Sequence, residues 1–106
     1  MTAALASEPR GRAQTRLLVK HFLAVLAERS PGASVEVRVP PYAAVQAVAG
    51  VRHTRGTPPA VVELDADTWI ALATGALSWP EAEASGRVRA SGERADLSGL
   101  LPLELP

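Results

Sequence analysis

Apolar positions along the chain change period several times, and each change predicts an element. In "RAQTRLLVKHFLAVLAERSPG", Leu18, Phe22, Val25 and Leu26 recur at helical spacing, Val19 and Leu23 widen the stripe, and Ser30-Pro31-Gly32 stops it. His21 lies beside this face next to Lys20, the setting of a solvated histidine. In "SVEVRVPP" the valines at 35, 37 and 39 alternate with Glu36 and Arg38, the two-residue period of a strand with one buried face. Pro40-Pro41 ends that strand because neither residue can donate to a ladder. A second strand is expected over Ala43 to Val48 and a third over residues 60–64. The intervening "VRHTRGTPP" reads as a long hairpin loop.

The second half turns helical. Asp65 is placed to cap a helix in "DADTWIALATG", Asp67 lies in its first turn, and Trp69, Leu72 and Ala73 share a face. Gly75 suits the left-handed residue that ends it. Ser78 and Glu81 have capping-box spacing, Pro80 is tolerated in the first turn, and Gly86 closes this shorter helix. A strand is predicted around Val88, and "ERADLSGLLPLEL" as a last helix of two or three turns with Leu97, Leu100 and Leu101 on its apolar side. The order α-βββ-αα-β-α separates strands from helices, which predicts an α+β fold with a mainly antiparallel sheet covered on one face.

Composition bounds this picture. A chain of 106 residues supports one core, here expected over residues 13–106 after a mobile 1–12. Two Trp, one Tyr and one Phe leave most packing to Val, Leu and Ala. Eleven basic and eleven acidic residues cancel, so no net field draws the protein to nucleic acid or an anionic membrane. Without cysteine there is no thiolate chemistry, and two histidines argue against a zinc site. No metal or other cofactor is expected. The start, "MTAALASEPRGR", has no apolar run of signal-peptide length, so the expectation is a cytoplasmic protein with no stable membrane insertion, monomeric or weakly dimeric. Ten arginines against one lysine, with abundant alanine, suggest a GC-rich bacterial genome.

No nucleophile elbow, phosphate loop, dinucleotide fingerprint or metal-ligand spacing is present. Asp65 with Asp67, and Glu81 with Glu83, are better explained as helix starts than as acid–base pairs, and Asp96 with Ser98 as surface residues. An enzyme is therefore not expected. One constellation could contact an anion or a protein partner: Arg52 and Arg55 offer forked donors, His53 adds an imidazole, a side-chain type that can change charge near neutrality, and Gly56 lets backbone approach a ligand. The other functional feature is apolar. Trp69, Leu72, Leu77, Leu97, Leu100, Leu101 and Leu103 would gather over one sheet face, as a core or as the wall of a ligand cavity.

The stretch "DADTWIALATGALSWPEAEASGRVRASGERADLSGLLPL" resembles the sterol carrier protein superfamily. The matching positions are Asp67, Thr74, Gly75, Leu77, Ala82, Gly86, Arg87, Val88, Arg89, Ser91, Gly92, Leu97 and Leu100, an acid before a helix, helix stops, and a basic-apolar-basic strand before a Leu-rich end. The preceding "VEVRVPPYAAVQAVAGVRHTRGTPPAVVELD" resembles the short, stand-alone actinobacterial branch. Glu93 departs from the Asp that many members carry, and the C-terminus is short. The resemblance implies a five-stranded sheet with helices on one face and an apolar tunnel that takes a lipid or other hydrophobic small molecule of the sterol, fatty acid or acyl-CoA class. Phe22, Val45, Val48, Trp69, Leu72, Leu77, Leu97 and Leu101 would wall it. The alternative is an accessory domain like that fused to mycothiol-dependent isomerases, meeting its partner or an anionic substrate through Arg52, His53 and Arg55.

Overall fold

A computed structural model describes residues 11–50, 60–91 and 96–103. Helix α1 (Arg12–Arg29) buries Leu18, Val19, Phe22, Leu23 and Leu26, the stripe expected from spacing, with Thr15 extending it one turn back. Val25, at the edge of that stripe, is half-buried. Ser30 caps the helix by donating its main-chain N–H to the Leu26 carbonyl.

Strand β1 (Val35–Val39) turns its three valines into the core and pairs antiparallel with β2 (Ala43–Ala47), which brings Val37 opposite Val45. Strand β3 (Ala60–Leu64) pairs with the other edge of β1 in parallel, and β4 (Val88–Ser91) pairs antiparallel with β3. The order is β2-β1-β3-β4. The α+β class holds, but two expectations are corrected: the described sheet has four strands, not five, and it is mixed. The segment from β2 to β3 is consequently a crossover past β1 and not a hairpin loop. A two-residue period specifies which face of a strand is buried, but says nothing about which strand lies beside it or in which direction. β2 also ends one residue early, because Val48 takes a left-handed conformation (φ 68°) that cannot continue a strand.

Helix α2 (Ala66–Thr74) starts at Asp65, whose carboxylate accepts from the Thr68 N–H at 3.2 Å and from the Thr68 hydroxyl. Gly75 ends it in the left-handed region (φ 85°), where the absence of a Cβ removes the steric cost. Helix α3 (Trp79–Ala84) carries the full reciprocal capping box between Ser78 and Glu81, with Pro80 in the first turn. Trp79 and Ala82 are its two buried residues. The predicted last helix is corrected to a single 3₁₀ turn, Ser98–Leu100. Gly99 raises the conformational cost of a helix there and Pro102 removes a donor three residues on.

The tail after that turn is held by distant groups instead. The Leu103 N–H donates to the Ala73 carbonyl at 2.8 Å, and the Arg29 guanidinium donates to the Leu103 carbonyl. α1 packs over β2 and against α2, while α3 meets β4. The core lies between these helices and the face of the sheet that bears Val35, Val37, Val39, Val62 and Leu64. The opposite face carries Glu36, Arg38, Ala44, Gln46, Val61 and Glu63, and there the Arg38 guanidinium pairs with Glu36.

Candidate hydrophobic-ligand site

The eight residues expected to wall an apolar site come from five parts of the chain, and the fold brings them to one core. Phe22 enters from α1, Trp69 and Leu72 from α2, and Leu97 from just before the 3₁₀ turn; each is exposed by no more than 1%. Val45 of β2, Val48 after it, Leu77 in the turn between α2 and α3, and Leu101 are half-buried and pack against the same cluster.

Two polar groups inside this core behave differently. The Trp69 indole N–H donates to the Val19 carbonyl at 3.3 Å, which satisfies it and ties α2 to α1. Trp79 is 3% exposed, and its indole N–H has no acceptor among the described residues. Leaving a buried donor unpaired costs about 1–3 kcal/mol, and a phenylalanine would fill similar space without that cost. Sequence reasoning treats Trp79 only as part of a helix start. The available signal is that Trp79 is the sole large apolar side chain in "WPEAEA", so docking of α3 depends mainly on it.

Val48 lies at the edge of this cluster under constraint. Its N–H donates to the Ser30 carbonyl at 2.6 Å, and its carbonyl accepts from the Ser34 N–H at 3.0 Å and the Ser34 hydroxyl at 2.6 Å. These bonds hold a β-branched residue at positive φ, a conformation that ordinarily favours glycine.

Arg52, His53 and Arg55, expected to contact an anion or a partner, lie outside the described residues, as do Gly92 and Glu93. Open clefts lie elsewhere on the surface. One, of about 950 Å³, runs between the first half of α1 and the turn at Pro41 and Tyr42. A second, about 360 Å³, is bounded by Glu63, Asp65, Arg87 and Arg89 with Pro40, Leu64 and Gly86. None of the eight wall residues borders either one.

The titrating groups with a clear shift are exposed and local. Glu81 is held below the usual carboxylate range by hydrogen bonds from the Ser78 hydroxyl and main chain, and Asp96 by those from Ser98. Both belong to turns and not to the apolar cluster. Among the described residues there is no group of three or more His, Asp or Glu side chains placed to hold a metal ion, and no helix is long and apolar enough to cross a membrane.

An α+β domain whose helices enclose an apolar core against one sheet face is the architecture that the sterol carrier resemblance implies. The family model for the bacterial SCP ortholog, SCP denoting sterol carrier protein, matches residues 11–103. The chain belongs to this family. Membership associates it, at a general level, with hydrophobic-ligand binding by a domain type that is generally a non-enzymatic carrier. No curated protein matches the chain.

Proposed function

We propose that the protein binds and transfers a lipid or other hydrophobic small molecule, of the sterol, fatty acid or acyl-CoA class, between its helices and its sheet, without catalysing a reaction on it. Family membership supports the class of activity. The observation that carries the reading within the molecule is the unpaired Trp79 donor inside a mostly apolar core. Ligand sites for hydrophobic molecules combine a mostly apolar lining with a few polar groups that fix orientation, and an unpaired indole N–H in a core built mainly of Leu, Val and Trp side chains has that composition. On this reading Phe22, Val45, Val48, Trp69, Leu72, Leu77, Leu97 and Leu101 contact the apolar body of the ligand, and Trp79 donates to one acceptor oxygen on it.

Native mass spectrometry of the full chain purified from a bacterial host tests this. The expected result is a non-covalent lipid mass that is lost on denaturation and recovered by extraction. A bare protein mass, followed by no uptake of a fluorescent fatty acid or sterol, would overturn the carrier reading. Trp79→Phe should keep the fold and weaken fatty-acid binding about 2- to 13-fold, the worth of one hydrogen bond.

A further inference from the structure

The groove along the first half of α1 has a chemistry unrelated to the apolar core. Arg12, Arg16 and Lys20 follow one another at four-residue intervals, so they form a row with a step of about 6 Å along the helix. Ala13 and Leu17 form the adjacent row, and Pro41 and Tyr42 supply the opposite wall. Leu17 is 71% exposed, the single large apolar side chain so exposed among the described residues. Among the described residues, none of the three cations has an acidic partner and no acid lines the groove.

The start of α1 also runs against helix electrostatics. Gly11 provides no side-chain cap, the first turn contains no acid, and Arg12 stands at the positive end of the helix dipole. Helix α2 and helix α3, by contrast, each carry an acidic or hydroxyl cap and an acid in the first turn. Among the described residues, the uncompensated positive potential is thus particular to the helix that borders the groove, and it favours an anionic occupant.

We propose that this groove is a docking site for an acidic, extended peptide segment of a protein partner. Alternate side chains of an extended chain are about 6.6–6.8 Å apart, close to the step of the cation row, so acids at alternate positions can meet Arg12, Arg16 and Lys20 in register. The intervening apolar side chains point the other way, toward the wall formed by Pro41 and Tyr42, and Leu17, in the row beside the cations, meets the peptide between them. Arginine matches this occupant because its planar fork pairs with a carboxylate through two hydrogen bonds. A bilayer is a poorer complement: it is flat and would reach the rim cations without filling the groove.

The test is fluorescence anisotropy of the full chain with a labelled Glu-Leu-Glu-Leu-Glu peptide, with the Gln-Leu-Gln-Leu-Gln peptide as control, beside sedimentation with phosphatidylglycerol vesicles. Binding of the Glu peptide alone is expected, weakening at least about ten-fold as salt rises from about 0.05 M to about 0.5 M. The double variant Arg16→Glu/Lys20→Glu should lose at least about ten-fold in affinity, and Leu17→Ser about three-fold. These positions are exposed, so a far-UV spectrum identical to that of the parent shows that the fold is kept. Equal binding by the double variant, equal binding of the Gln peptide, binding of neither peptide, or preference for the vesicles would each overturn the proposal.

Discussion

The Trp69 indole N–H donates to the Val19 carbonyl at 3.3 Å, joining α2 to α1 across 50 residues, while the comparably buried Trp79 N–H has no acceptor among the described residues. The two tryptophans therefore respond oppositely to loss of the donor. Trp69→Phe removes a satisfied hydrogen bond and some volume, and should lower stability by about 1–3 kcal/mol. Trp79→Phe removes an unsatisfied donor, which offsets much of its packing loss, and should change stability by less than about 1 kcal/mol. Urea denaturation of both variants without added ligand checks the difference; equal losses would mean that the Trp79 donor is satisfied in solution.

Gly32 lies at φ 149°, and a Cβ there would collide with the main-chain carbonyl of Val48. That carbonyl cannot retreat, because it accepts both hydrogen bonds from Ser34. Gly32→Ala should cost about 2–3 kcal/mol, visible as a lower thermal midpoint. Gly86→Ala makes a useful comparison: its φ is also positive, but no described atom stands within 4 Å of the added methyl, so only the conformational penalty remains. The thermal midpoint should fall clearly further for Gly32→Ala than for Gly86→Ala.

Leu103 is buried, and its main chain is held from both sides by Ala73 and Arg29. Leu103→Ala should destabilise the protein by about 2–4 kcal/mol, the range for truncating a buried leucine. Leu17→Ala, on the exposed side of α1, should stay within about 0.5 kcal/mol. Chemical denaturation of the pair measures how much of the core the C-terminal tail completes.

Glu81 and Asp96 have folded-state pKa values below their ordinary ones because Ser78 and Ser98 donate to the ionised forms. A depressed carboxylate contributes stability above its unfolded pKa and loses it as pH falls through the folded value. Stability should therefore decline below about pH 4, where unperturbed carboxylates protonate. In Glu81→Gln the acid-induced part of this decline should shrink, because the stability that the ionised side chain adds near neutrality is already lost and no charge is left to titrate away. An unchanged acid limb in that variant would show that the capping box does not hold its charge in solution.

Much of the helical half is legible in the amino-acid sequence. Asp65, Gly75, Ser78, Pro80 and Glu81 act where their types and spacing place them, since a cap joins residues no more than a few positions apart and needs only the local chain. The buried stripe of α1 and the inward valines of β1 are equally readable, because burial of one face imposes its period on the residues. The loop with Arg52, His53 and Arg55 lies outside the described residues, so the contact expected of it stands as a proposal. The groove on α1 escapes sequence reasoning because its two walls are more than 20 positions apart, and the spacing of Arg12, Arg16 and Lys20 alone describes a solvated helix face.

By itself, then, the sequence determined the α+β class, the sterol carrier family, three helices with their stops, and which side chains go inward. Only the tertiary structure decided that β3 lies parallel beside β1, that the chain crosses past β1 to reach it, and that Leu103 is held by Ala73 and Arg29 in place of a last helix. It alone distinguished the paired Trp69 from the unpaired Trp79. The physical reason is the range of the forces recorded in each pattern: caps and periodicity reflect interactions within a turn or a strand, whereas strand neighbours and the satisfaction of a buried donor depend on groups tens of residues away that meet only in the packed core.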